Sequence, residues 1–177
     1  YLDFEPIDYS NNMKILFVAM SNSIHTARWL SQISDQGWDI HLFCSTDELR
    51  IHPDIRNVTV HEIFYCNQVG RHESVKRKGI NLFSLTLVHY FKGLLTRIYP
   101  GHRSKKLTHL IKKIQPDLIH SLGIQNAGYL TIEAKEKMKG KFPSWIVSNW
   151  GSDIYLFGRL ESHKNQIRNV LENCNYY

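Results

Sequence analysis

The sequence predicts an α/β domain built on a doubly wound parallel sheet with helices on both faces. Three observations carry this. Short apolar runs recur at 14–20 (KILFVAM), 39–44 (DIHLFC), 58–65 (VTVHEIFY), 117–122 (DLIHSL) and 144–150 (SWIVSNW). Segments of helical period separate most of them, as right-handed βαβ units require. The 177 residues, 42% hydrophobic and 21% charged, suit one domain with a real core. They exclude disorder, collagen and coiled coil as the main state. No stretch approaches the roughly 18 uncharged apolar residues of a spanning helix.

Residues 1–12 show no clear period and read as a lead-in, so the domain is placed at 13–177. Their opening, YLDFEPIDYS, is acidic, unlike the basic, apolar start of a signal peptide. The run 14–20 is short, apolar and partly β-branched, which suits a strand buried on both faces. Ser21, Asn22 and Ser23 follow and can cap a helix through a side-chain oxygen. That helix carries Ile24, Ala27, Leu30, Ile33 and Ser34 on one face, and Gly37 suits its stop. Strands follow at 39–44 and at 58–65; the second alternates and reads as nearer an edge. Residues 66–79 are basic and irregular and read as a loop. A helix is predicted over 80–99, ended by Pro100-Gly101, and another over 102–115, ended by Pro116. Strand 117–122, helix 125–138, strand 144–150, a helical turn near Ser152 and a helix over 161–173 complete the chain.

Such a sheet binds ligands beyond the carboxyl ends of its strands, at the point where strand order reverses. The loops after residues 20, 44, 65, 122 and 150 therefore hold the candidate site. The first contains Asn22, Ser23 and His25, where helix amides could hold a phosphate or sugar hydroxyl, or simply be capped. It is neither GxGxxG nor a P-loop. His120 falls near the end of its strand, where it is either a structural residue or a group reaching the cleft. Gly151 lets the backbone approach a ligand or turn sharply. Ser152 follows it, and Asp153 either accepts from sugar hydroxyls or caps the next helix. No GxSxG elbow, HExxH or paired-carboxylate motif occurs. His102 and His109 lie on a basic helix and read as solvated.

Cys44, Cys66 and Cys174 are odd in number and widely spaced. They form neither a disulfide framework nor a CxxC metal site and read as reduced, partly buried thiols. The net charge of +6 is uneven: residues 66–115 hold eleven Lys and Arg against Glu73. That block is either a solvated face or a surface for an anionic partner. It lacks helix-turn-helix, RRM or zinc motifs and the aromatic interleaving of a base-stacking surface, so nucleic acid is not expected as a partner.

Met13–Ser45, QPDLIHSLG (115–123) and FPSWIVSNWGSDIYLF (142–157) together resemble the N-terminal half of retaining family 4 glycosyltransferases, which have the GT-B fold of two Rossmann-like domains. PDLIHSLG is similar to the family's strand end with its active-site His, which maps onto His120. The resemblance implies transfer of a sugar from a nucleotide sugar to a glycan or lipid-linked acceptor, with retention and without a metal or other cofactor. The leaving diphosphate assists deprotonation of the acceptor. It implies that His120 holds a hydroxyl of the reacting sugar. Asn22 to His25 would lie near the diphosphate or acceptor, and Gly151 to Asp153 would line the acceptor side. The first loop lacks the double Gly of many members. The family's nucleotide-sugar domain, with its paired Glu, has no counterpart in these residues, so the resemblance implies an acceptor-side fragment of low activity alone. Cytoplasmic location, with the basic block docking on an anionic membrane, is expected. The competing readings are a non-catalytic membrane- or polyanion-docking module and half of a sugar-nucleotide epimerase.

Overall fold

The computed structural model describes residues 13–47, 50–67 and 74–177. Six parallel strands form one sheet: β1 (Lys14–Ala19), β2 (Asp39–Cys44), β3 (Val58–Tyr65), β4 (Val75–Asn81), β5 (Leu118–Leu122) and β6 (Ser144–Ser148). Their order is β4-β3-β2-β1-β5-β6. The order reverses between β1 and β5, so the crevice of this sheet opens there. Among the described residues, six α-helices connect or follow the strands: α1 (Ile24–Ile33), α2 (Leu85–Ile98), α3 (His102–Ile114), α4 (Tyr129–Lys137), α5 (Gly151–Tyr155) and α6 (Glu161–Asn173).

Side chains alternate across β1 and build two cores. Leu16 and Val18 join Phe43, Ile119 and Trp145 beneath α3, α4 and α6. Ile15, Phe17 and Ala19 join Leu42 and Val60 beneath Ala27 and Leu30 of α1. This two-sided burial explains why the central strands read as continuous apolar runs. Polar groups inside the first core are chained together. Thr131 donates to the Ala127 carbonyl at 2.8 Å, so Ser121 must donate to Thr131 at 2.9 Å while accepting from Trp145 Nε1 at 3.0 Å. Every member is satisfied, and the chain locks β5, β6 and α4 together.

The sheet's rims are protected in different ways. Beside β6, Val147 N–H donates to the Tyr176 carbonyl at 2.9 Å and Trp145 N–H to Asn175 Oδ1 at 2.8 Å. The other rim is β4, where a loop was expected through residue 79 and a helix from residue 80. Lys76 and Lys78 alternate with Arg77 there, and charge of this kind discourages pairing with another chain. The helix begins only at Leu85. Arg77 turns inward onto Glu62, with Nε–Oε2 2.8 Å and Nη2–Oε1 3.0 Å, and its guanidinium lies over Tyr65. Gly79 fits a close approach of β3, since a Cβ there would sit 2.5 Å from the Glu62 carbonyl oxygen. Gly79→Val should therefore cost about 2 kcal/mol, read by urea unfolding; an unchanged midpoint would contradict this packing.

Other boundaries shift for local reasons. The helix expected over 125–138 is regular only from Tyr129, because residues 124–128 form an irregular turn in which Asn126 has φ 55° and ψ −65°. His102, expected to be solvated, is buried and hydrogen-bonds the Tyr99 carbonyl through Nδ1 at 2.8 Å. Gln115 closes α3 in the left-handed region. Gly37 adopts φ 75°. All three cysteines are free thiols, and burial pushes Cys44 up to about 12. Arg71 and Glu73 of the basic block, and the lead-in 1–12, lie outside the described residues.

Candidate functional site

The switch point brings together residues from three loops. After β1, Ser23 Oγ accepts from His25 N–H at 3.2 Å and starts α1. Asn22 and His25 are exposed beside this cap. The first turn of α1 holds no acidic residue, so its dipole and amides favour an anion. One helical turn past His25 lies Trp29, and both rings reach across the crevice. His25 packs against Trp150 with the rings tilted by 37° and centroids 4.8 Å apart, and Trp29 meets His120 edge-on at 5.3 Å.

His120 occupies the centre. It shares the α1 face of β5 with Leu118 and Leu122, contacts the Phe17 ring at 5.2 Å and hydrogen-bonds Ser148 Oγ through Nε2 at 2.8 Å. The residue is 7% exposed, and burial pushes its imidazole down to about 4. At neutral pH it is therefore an uncharged ring, able to donate through one nitrogen and accept through the other. It suits recognition of a hydroxyl better than pairing with an anion.

Beyond β5 the loop is held rigidly. Gly123 has φ 102°, and its position lies within van der Waals distance of the Trp150 ring. Gly123 N–H donates to the Ser148 carbonyl at 2.8 Å, and Ile124 N–H to Asp153 Oδ2 at 3.0 Å. Trp150 N–H donates to the same oxygen at 3.0 Å. Asp153 is buried. Of its two sequence readings the structure shows capping: one carboxylate oxygen ties the loops after β5 and β6 together. Gly151 and Ser152 are exposed at the start of α5, and a Cβ at Gly151 would meet nothing within 4 Å. The glycine whose conformation the site requires is Gly123. Asn126, strained and exposed on the rim, is a further candidate, since such strain clusters at ligand sites.

All the residues singled out from sequence thus stand at one end of the sheet. Trp29, Trp150 and Ser148 were missed as contributors. Trp29 was findable, because it follows His25 by four residues and so shares its helix face. A cavity of about 630 Å³ lies at the opposite end of β5 and β6, between Lys112, Asp117 and Lys141. It touches none of these residues, and the switch-point rule places ligand binding at the crevice instead.

Protonation gives a testable consequence. Burial pushes His120 to about 4 and His61 to about 3, below the ordinary value of about 6.5. The unfolded chain then binds more protons than the native one between these values. The stabilisation is complete above pH of about 6.5 and is lost as pH falls toward the native values. Unfolding free energy should fall by about 2 kcal/mol per histidine between pH 7.5 and 5. Denaturation curves of His120→Phe should show a shallower fall; an identical slope would contradict the assignment.

An open, doubly wound α/β domain with an aromatic rim at its switch point defines a Rossmann-like domain. The chain belongs to the glycosyl transferase 4-like family, whose model matches residues 14–176. Its chemistry is therefore glycosyl transfer. No curated protein matches the chain.

Proposed function

We propose that this domain is the acceptor-side wall of a two-domain transferase that moves a sugar from a nucleotide sugar to a glycan or lipid-linked acceptor with retention. The observation that supports this best is neutral His120, set between Trp29 and Ser148 at the switch point. Its ring nitrogen holds a hydroxyl of the reacting sugar, and Trp29 and Trp150 offer apolar faces to pyranose C–H groups. The α1 amides, with Asn22, Ser23 and His25, favour the diphosphate. Asp153 keeps the loop backbones in place.

Same-face attack suits this rim. Asp153, the carboxylate between the loops after β5 and β6, accepts from two backbone amides. The leaving diphosphate is then the group that takes the acceptor proton, as the new glycosidic bond forms and the old anomeric bond breaks. The reading requires no metal. Incubating the natural full-length protein with nucleoside diphosphate sugars and following the product's anomeric proton by NMR tests it. A product with the donor's configuration is expected; inversion would overturn the mechanism.

A peripheral membrane position is supported by a second observation. Phe83, Tyr90 and Ile98 of the β4–α2 segment are 81%, 62% and 72% exposed, an unusual apolar display. Arg97 and Lys105 border them, with Lys105 Nζ 5.5 Å from the Tyr99 ring. No helix among the described residues is long and apolar enough to cross a membrane. The face suits shallow insertion beside anionic headgroups. Three residues of the basic block serve the fold instead: Arg77 pairs with Glu62, Arg103 with Asp47, and Lys92 is buried against the Asp47 carbonyl. Cosedimentation with phosphatidylserine vesicles should fall roughly tenfold in Phe83→Ser/Ile98→Ser and weaken with salt. Equal binding by the variant would contradict the docking face.

A further inference from the structure

A second basic feature lies away from the switch point. Between α3 and the strands β3 and β4 is a cavity of about 290 Å³, near the lower size of small-ligand pockets. Lys78 enters it from β4, and Lys106, His109 and Lys113 from α3. The three lysines make no ion pair among the described residues. Glu62 also borders the cavity, but both its oxygens are taken by Arg77. The space is therefore strongly positive.

Its floor contains His61, 6% exposed. A hydrogen-bonded chain fixes this ring. Asp39 Oδ2 lies 3.1 Å from His41 Nε2, and His41 Nδ1 lies 3.0 Å from His61 Nε2. An ionised carboxylate only accepts, so His41 Nε2 donates to it. Neutral His41 then accepts at Nδ1, and His61 must donate from Nε2. The remaining nitrogen, His61 Nδ1, is an acceptor with no partner among the described residues. It is not sealed in, because Thr46 Oγ1 is the one fully buried side-chain polar atom there without a partner. His61 borders the lysine-lined space, and its Nδ1 carries an unused lone pair.

A ligand that fits must carry negative charge for three ammonium groups and a proton for that lone pair. Carboxylates and sulfate lack the proton at neutral pH. A phosphomonoester has both as its monoanion, which dominates below its second ionisation at about pH 6. We propose that this cavity is a binding site for a terminal phosphate group. Lys78, Lys106 and Lys113 hold its anionic oxygens, and the P–OH proton is shared with His61 Nδ1. The site is independent of the sugar-transfer crevice.

Titration with inorganic phosphate and with glycerol 3-phosphate, followed by ³¹P NMR and calorimetry, tests the proposal. Saturable binding should weaken at least tenfold in Lys106→Ala/Lys113→Ala. The control Lys112→Ala/Lys139→Ala removes two charges from outside the cavity and should bind as the parent. Both pairs are exposed, so folding should persist. Vesicles of phosphatidic acid and of phosphatidylserine at matched charge identify the source. A phosphatidic acid preference lost in the first variant shows a lipid phosphate; soluble binding alone shows a free phosphomonoester. Equal weakening by both variants, or no saturable binding to any of these probes, would overturn the site.

Discussion

Replacing His120 by alanine in the natural full-length enzyme is expected to lower the sugar-transfer rate by about a hundredfold. The ring stands at the carboxyl end of β5, beside the strand-order reversal, and contacts Phe17, Trp29 and Ser148. Its neutral state makes it a hydrogen-bond partner for a hydroxyl whose polarity changes as the anomeric bond breaks. An interaction that strengthens only in the transition state lowers kcat and kcat/KM together and leaves KM nearly unchanged. His120→Gln, which keeps a donor and an acceptor, should recover part of the rate. A thermal midpoint near the parent's separates lost chemistry from lost fold. A rate within threefold of the parent would remove His120 from the reaction.

The largest stability effect is expected at the inward-facing pair of β3 and β4. Glu62 and Arg77 side chains are 3% and 7% exposed and make two parallel hydrogen bonds. Glu62→Gln strands a buried guanidinium, which should cost about 3–5 kcal/mol and lower Tm by roughly 10 °C. Arg77 also donates to the Cys66 carbonyl at 3.3 Å, so Arg77→Met loses a further contact. The double variant Glu62→Leu/Arg77→Met leaves no unpaired charge and should lie much closer to the parent. Additive losses in the double variant would show that the two side chains act independently.

That ion pair also shows where sequence reading stopped. β4 was invisible because VKRKGIN offers only Val75 and Ile80 to a hydrophobic pattern, and most of the strand is exposed. Its position comes from pairing with β3 and from Arg77 turning onto Glu62, a partner 15 residues away. The buried strands β1, β2, β5 and β6 were legible because burial on both faces writes an apolar run directly into sequence. The end of the sheet that carries the candidate site followed from topology alone.

Within the site the legible part was location. His120, the loop from Asn22 to His25 and the turn from Gly151 to Asp153 were readable as strand-end residues. The division of labour among them was not. Asp153 serves the backbone of Ile124, 29 residues earlier, and no local pattern encodes such a contact. Gly151 was singled out for conformational freedom, whereas Gly123 has the positive φ. Trp150 gains its role only when β6 lies beside β5 and delivers its ring to His25.

The central claim is that sugar transfer uses the rim around His120. The four tryptophans provide the most direct test, because Trp29 and Trp150 stand on the rim while Trp38 and Trp145 pack in the cores. Indole N–H signals of the ¹⁵N-labelled chain should be followed during titration with a panel of nucleoside diphosphate sugars. Trp29 and Trp150 should shift with saturation while Trp38 and Trp145 stay fixed. Saturable shifts confined to signals around the Lys112–Lys141 cavity, with Trp29 and Trp150 unmoved, would contradict the claim.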